Sequence, residues 1–476
     1  MMITIITSIL ILSIIFIGLT KPKLLYYVMV FFAGWFSVFI DVGLMITAYR
    51  LVIIIFLLCL PIYFSLRKNA IKFPPSVRYL LIFVCYAITI TIVSQFYAPE
   101  SYIVGFARGE GRWIFQIAML LIDVTPVFLP LLFFKKIEDV KTTAKVFVTS
   151  VIILCVLGWV QSLAFYLYGV ALFPVFREGL TGAVTQVMDV NMFGVTFFRM
   201  HSLGGEPKDF AVTVAVAIVL LIMSKITDSK GFRFGNLLMG FFLISLFMSL
   251  ATSGFFVLLM GLAFIVILPF FVKDLRPRFA FKSIAVIAVT TIIFFGIIII
   301  SGILPLDLIK ELSLERTITR SPIELFDAAV ISFLSKHPQY GLFGVGMGNI
   351  HLYAWDNLIQ YASENPLAAW VFERSHDFVI VPNSGYLRII SELGIMGLIL
   401  FLYAYLTPVR FNFKCRQYIS DNNVKAIVLC LNLFSIFILV TFLMRYFQIN
   451  YAYITLGLIY FLNRKIMPNF QPNIRR

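Results

Sequence analysis

The chain has 476 residues, of which 61% are hydrophobic and only 13% charged, with a formal net charge of +15. Soluble domains carry roughly a quarter charged residues, so this composition excludes an ordinary soluble protein and places the chain in lipid. A transmembrane β-barrel is excluded too, because its strands alternate polar and apolar residues over ~10 positions, whereas residues 283–300 are apolar all round.

The expected fold is therefore an all-α, polytopic integral membrane protein. Residues 3–19 have an apolar core but no basic leader and no small-residue cleavage site, and are read as a retained helix. Further apolar runs fall at 24–40, 44–66, 79–97, 113–134, 145–172, 210–224, 235–251, 254–272, 282–304, 386–406, 425–443 and 446–462. At roughly 20 residues per crossing they make about thirteen helices, within a range of about 12–14. Two breaks rest on local chemistry: small and polar residues at 251–254 allow a turn, and Arg445 interrupts the last apolar stretch. Residues 1–304 thus hold ten helices with short loops and an external segment at 173–209. Residues 305–385 form a large, partly helical external loop, and 386–476 hold three helices and a tail.

Basic side chains set the orientation, since cytoplasmic loops are enriched in Lys and Arg. Most of the 38 basic residues fall in alternate loops: Lys21 and Lys23, Arg67 to Arg78, Lys135 to Lys145, Lys225 to Arg233, Lys273 to Lys282, Arg410 to Lys425, and the C-terminal tail. This pattern predicts an external N-terminus and a cytoplasmic C-terminus. It also accounts for the positive charge without nucleic-acid binding. The five cysteines form no CxxC pair, and none lies in the long loop, so neither a disulfide framework nor a thiolate metal site is indicated.

With this topology all four histidines and every unusual polar cluster face outward. The first cluster, at 97–113, contains Arg108 and Arg112. The second, FFRMHSLGGEPKDFA, packs Arg199, His201, Glu206, Lys208 and Asp209 in front of an apolar run. Pro207 suits the first turn of a helix there, whose positive end would hold an anion beside Arg199; a solvated cap with Arg199 paired to Glu206 or Asp209 explains the same residues. The third cluster is the long loop. Its apolar positions Ile323, Phe326, Ala329, Val330 and Phe333 predict an amphipathic helix over 321–335. Arg316 and Arg320 stand before that helix, where two guanidiniums would clamp a pyrophosphate or serve as ordinary surface charges. GLFGVGMG at 341–348 is not a phosphate-binding P-loop, because no Lys-Ser/Thr follows it and no strand precedes it; backbone flexibility beside a substrate is the expectation. His351, His376 and Asp377 are outward-facing candidate bases, with Glu392 behind them, and a merely structural hydrogen-bonding role accounts equally for each histidine. Within or close to the apolar runs, Arg50 and Asp123 are expected to face a cavity or a partner; a third helix that begins later would instead put Arg50 near the interface.

Three patterns, in order, resemble the bacterial O-antigen polymerase and O-antigen ligase superfamily: RMHSLGGEPKDFA before a helix, ATSGFF between two helices, and the long loop running from HPQYGLFGVGMGNI to PNSGYLRIISELGIMG. The resemblance covers roughly residues 199–406 and the overall architecture. It implies a polymerase joining undecaprenyl-pyrophosphate-linked oligosaccharides into a surface polysaccharide at the outer face of the inner membrane, working among membrane lipids beside a chain-length regulator and a flippase of the same pathway. It assigns pyrophosphate binding to Arg199 and to Arg316 or Arg320. Beside it, His376, six residues before Pro382, is the expected catalytic base with His351 in reserve, and Glu206, Asp209, Asn383 and Glu392 are expected to support the site. No cofactor is implied. No metal is expected either, since the first external segment has only Asp41 and no paired carboxylates. Pro382 stands where ligases have a histidine before the Asn, and the ATSG turn lacks the family's arginine; both departures favour a polymerase over a ligase-type transferase. A lipid-linked sugar flippase or secondary transporter remains the alternative of another class, although no internal repeat is visible.

Overall fold

The computed structural model describes residues 14–41, 45–66, 73–99, 111–170, 172–173, 189–192, 195–227, 232, 235–272, 275, 285, 322–364, 381–443 and 449–466. Within them the chain is an all-α membrane protein, in which seven helices are long and apolar enough to cross a bilayer. These are α2 (Ala48–Leu66), α3 (Val77–Ser94), α6 (Glu138–Tyr168), α7 (Pro207–Ile226), α9 (Thr252–Phe271), α13 (Gly385–Cys415) and α14 (Asn422–Thr441). Around them stand α1 (Pro22–Phe32), α4 (Arg112–Val124), α5 (Leu129–Phe133), α8 (Gly235–Met248) and α15 (Ile449–Ile466). The long loop contributes α10 (Pro322–Lys336), α11 (Pro338–Phe343) and α12 (Ile350–Glu364). The apolar run at 282–304, apart from residue 285, lies outside the described residues.

Several expected boundaries move, each for a local reason. The run at 24–40 is helical only to Phe32; the chain then turns, and Trp35 donates its indole N–H to Ser150 Oγ at 2.7 Å. The run at 113–134 is broken into α4, a 3₁₀ turn over Thr125–Val127, and α5. Pro126 has no N–H to donate to the preceding turn, which interrupts the hydrogen-bond ladder there although Thr125 keeps helical dihedrals. In the other direction, α6 begins seven residues earlier than the apolar run, because Glu138 and Asp139 place negative charge in the first turn, where the helix dipole favours it. Two short antiparallel hairpins add strand to an expectation that was purely helical: β1 (Phe39–Asp41) pairs with β2 (Met45–Thr47), and β3 (Asp189–Met192) with β4 (Val195–Phe198). Each lies between helices.

At the centre is α7, buried along nearly its whole length, with α6, α8, α9 and α14 packed against it. The break expected at 251–254 falls slightly earlier, at 249–251, with Thr252–Gly254 already in the first turn of α9, and Arg445 lies outside the described residues. Arg50 and Asp123 find each other: Arg50 Nε lies 3.2 Å from Asp123 Oδ1, and Nη2 lies 3.3 Å from Oδ2. The forked guanidinium thus covers a carboxylate that is only 4% exposed.

Contacts also sort the polar loops. Lys23 pairs with Asp139, whose other oxygen accepts from the backbone N–H groups of Lys135 and Lys136 at 3.1 Å each. Lys141 donates to Asn423 at 3.2 Å, Arg464 to the Leu131 carbonyl at 2.6 Å, and Tyr460 to the Ser76 carbonyl at 3.3 Å. Basic loops that alternate along the chain therefore meet at one end of the bundle. At the opposite end of α3 from Ser76, the long loop packs on that helix and on the starts of α4 and α13.

Candidate functional site

That second end carries the densest polar cluster. Helices α10 and α12 pack through Ala329, Val330, Phe333, Ile350, Ala354 and Leu358, so the amphipathic face expected for 321–335 is buried against α12. The connection between them, residues 344–349, is laid against α3 and α13. Val345 N–H donates to the Ser391 carbonyl at 3.0 Å and Gly346 N–H to the Glu392 carbonyl at 2.8 Å. Met347 N–H donates to Thr91 Oγ1 at 3.1 Å, and Asn349 Nδ2 reaches Ser94 Oγ at 3.1 Å. Gly344, Gly346 and Gly348 all have φ near +80°, a region open to glycine at little cost. These glycines therefore do not supply flexibility, as the sequence suggested. They fix a tight loop whose backbone lies in contact with α13.

The same contact bends α13. Gly394 has φ 73° and ψ 177°, and a side chain there would come 2.1 Å from the Leu342 carbonyl oxygen. Just before this kink, Arg388 and Glu392 form an i,i+4 pair at 3.3 Å, 9% and 3% exposed. Arg388 Nη2 also donates to Gln116 Oε1 on α4 at 3.4 Å. One turn before Gln116, Arg112 is 7% exposed and donates its Nε–H to the Gly348 carbonyl. Two arginines, a glutamate and a glutamine are thus gathered beside the glycine loop. Charged groups this deeply buried are costly to keep, and clusters of them are candidate functional positions.

His351 completes the cluster, with Nδ1 2.8 Å from the Gly348 carbonyl. That bond requires a proton on Nδ1 and leaves Nε2 as the acceptor nitrogen. Burial, helped by the Arg112 charge, pushes its pKa down to about 3, so the ring is neutral at physiological pH. A base is most effective with a pKa near the working pH, so this residue is better suited to holding the loop than to accepting a proton.

The second polar motif sits at a different junction, between α6, α7 and the end of α8. Met200 N–H donates to the Met248 carbonyl at 3.0 Å, and Ser37 N–H to the Leu203 carbonyl at 3.1 Å. Gln161 Oε1 accepts from Ser202 N–H at 2.8 Å and holds that residue at φ 55°, a strained backbone for a residue with a side chain. His201 is locked as a neutral imidazole, with Nδ1–H on the Ser202 carbonyl at 2.9 Å and Nε2 facing Gln161 Nε2 at 2.8 Å. Burial takes its pKa down to about 4. Glu206 stands in extended backbone just before α7 and pairs with Lys208 at 2.7 Å, and Pro207 takes the first turn as expected. Arg199 is half-buried in this segment, and Asp209 lies in the first turn of α7.

Of the residues singled out in the sequence, His351 and Glu392 meet in the glycine-loop cluster, whereas Arg199, Glu206 and Asp209 stay together at the α7 start. Asn383 donates its N–H to Asp327 Oδ1 at 2.8 Å, tying the entrance of α13 to α10. His376, Arg316, Arg320, Arg108 and Asp377 lie outside the described residues. Sequence reasoning missed Gln116 and Arg388, and it noted Arg112 without a role. The i,i+4 spacing of Arg112 with Gln116 and of Arg388 with Glu392 was the available signal.

Both buried histidines predict an acid-sensitive fold. The unfolded chain takes up protons near pH 6.5, whereas the folded imidazoles resist them to about 4 and about 3. Their contribution to stability is complete above pH 6.5. It falls as the pH drops towards 4, by up to about 1.4 kcal/mol per pH unit for each ring. Thermal unfolding of the detergent-purified protein at pH 7.5 and 5 should show this decline, and His351→Asn, which keeps a donor for Gly348, should flatten it. An unchanged pH profile in that variant would remove His351 from the account.

In comparisons with known proteins, neither a protein-family model nor a curated protein sequence matches the chain.

Proposed function

We propose that this protein is a polysaccharide polymerase: a metal-independent, inverting glycosyltransferase that joins polyprenyl-pyrophosphate-linked oligosaccharide repeat units at the outer face of the bacterial inner membrane. The observation that carries the reading is the convergence of Arg112, Gln116, Arg388 and Glu392 on a rigid glycine loop, at the end of the bundle opposite the basic loops. The orientation follows from positive loops staying cytoplasmic, which leaves this cluster and the N-terminus outside and the C-terminus inside.

In the reaction, the acceptor sugar hydroxyl attacks the anomeric carbon of the donor on the face opposite the pyrophosphate. The new glycosidic C–O bond forms as the bond to the pyrophosphate oxygen breaks, and the hydroxyl proton passes to a base. Negative charge grows on the leaving group, so fixed cations are the largest contribution a protein can make. Arg112 and Arg388 are suited to this role by their preset orientation, and Arg199, Arg316 and Arg320 keep the pyrophosphate-binding role that the family resemblance gives them. The base is assigned to His376. The neutral, buried His351 positions the loop.

The test is to incubate purified protein with its lipid-linked repeat unit and separate the products by size. A ladder of increasing length supports polymerisation. Transfer of a single block to another lipid acceptor would indicate a ligase, and movement of labelled lipid across liposomes without any new glycosidic bond would indicate a flippase.

A further inference from the structure

Away from the glycine-loop cluster, at the end where the basic loops meet, α6 and α14 stand on the two sides of a half-open apolar cleft of about 90 Å³. Val140, Ala144 and Phe147 line one wall, Ile427, Leu431 and Phe434 the other. The hydroxyls that reach it are already engaged and present carbon to the interior. Thr143 donates to the Asp139 carbonyl at 2.9 Å, Thr455 to the Tyr451 carbonyl at 2.8 Å, and Tyr451 shares a hydrogen bond with Thr213 at 2.9 Å. A cleft this apolar favours hydrocarbon, and buried polar groups without partners would be penalised there.

Its mouth has the opposite character. Lys141 lines it and bridges the two walls by donating to Asn423 Oδ1 at 3.2 Å. That partner is neutral, and among the described residues no carboxylate forms an ion pair with Lys141. The nearby Asp421 is occupied in capping α14 through the N–H groups of Asn423 and Val424. Lys145 follows one turn later on α6, and Lys425 lies two residues beyond Asn423. From Lys141 to Phe147 the wall rises about 9 Å along the helix axis, within the roughly 15 Å of a single leaflet's hydrocarbon.

We infer that this cleft binds an anionic glycerophospholipid of the leaflet at the basic end, with one acyl chain between α6 and α14 and the phosphate taking the place of Asn423 as acceptor for Lys141. Depth and charge select this occupant together: the apolar part fits one leaflet, and the cation stands at headgroup level, where a lysine near an anionic surface is favoured.

The test uses the full-length protein in detergent with phosphatidylglycerol carrying a diazirine midway along one acyl chain. After irradiation, adducts are mapped by mass spectrometry. Adducts are expected on residues 140–147 and 427–434. Lys141→Ala, which leaves the apolar walls intact, and phosphatidylcholine of the same chains should each lower the yield by about fivefold. Cys430→Trp, which fills the cleft, should abolish it. Equal labelling with both headgroups, or adducts spread evenly over the lipid-facing helices and unmoved by either substitution, would overturn the proposal. So would displacement of the label by undecaprenyl phosphate but not by unlabelled phosphatidylglycerol, which would give the cleft to a polyprenyl chain.

Discussion

Arg388→Ala should lower polymer formation by about 10²–10³-fold, the loss seen when one preorganised donor to developing charge is removed. Arg388→Lys should recover little, because lysine keeps the charge but loses the fork that reaches Glu392 and Gln116 together. The substitution has a second consequence that must be separated from the first. Glu392 is 3% exposed, and stripping a buried carboxylate of its partner is itself destabilising by about 3–5 kcal/mol. The double variant Arg388→Met, Glu392→Gln removes both charges and should restore the folded yield without restoring activity. Wild-type ladders from that double variant would show the pair to be structural only.

Gly346→Ala should undock the glycine loop. The residue has φ +85°, and an added Cβ would lie 1.9 Å from Ser94 Oγ while its N–H is held by the Glu392 carbonyl. Backbone strain costs on the order of 1–3 kcal/mol and overpacking about as much again. The amides of Val345, Gly346 and Met347 should therefore exchange with solvent much faster, as read by hydrogen-exchange mass spectrometry. A Ser94→Gly companion relieves the clash but not the backbone strain, so it should rescue part of the protection. Unchanged exchange in Gly346→Ala would mean that the loop is not held by this contact.

The features legible in the sequence were those written in local patterns. Apolar runs located the seven long apolar helices, though not a count of thirteen crossings, Pro207 marked the start of α7, the small residues at 251–254 marked the approach of a turn, and the three- and four-residue spacing from Ile323 to Phe333 marked α10. What the sequence hid depends on partners far along the chain. Gly394 looks like any glycine in an apolar helix until Leu342 presses against it from 52 residues away, a separation that only the fold closes. Gln116 reads as a lone polar residue on an apolar run, and only the approach of α13 turns it into the acceptor for Arg388. The glycine loop was misread for the same reason: composition shows that glycines are present, but not that other backbone occupies the space a side chain would need.

The Arg50–Asp123 pair also dictates an order of events during synthesis. Its members are 73 residues apart, so at about 5–20 residues per second Arg50 waits roughly 4–15 s for its counter-charge to be made. A lone arginine at the centre of a helix costs about 2.5–3.5 kcal/mol on insertion, and Arg50, the third residue of α2, bears a smaller share of that cost. The hydrophobic remainder of α2 can carry that load, but α4, only 13 residues long and bearing Asp123, has far less to set against its own charge. Until α4 arrives, α2 must keep its guanidinium near the interface, and α4 is drawn in by a partner already in place. The pair thus ties the settling of α2 to the arrival of α4, the first completing its burial only once the second is made.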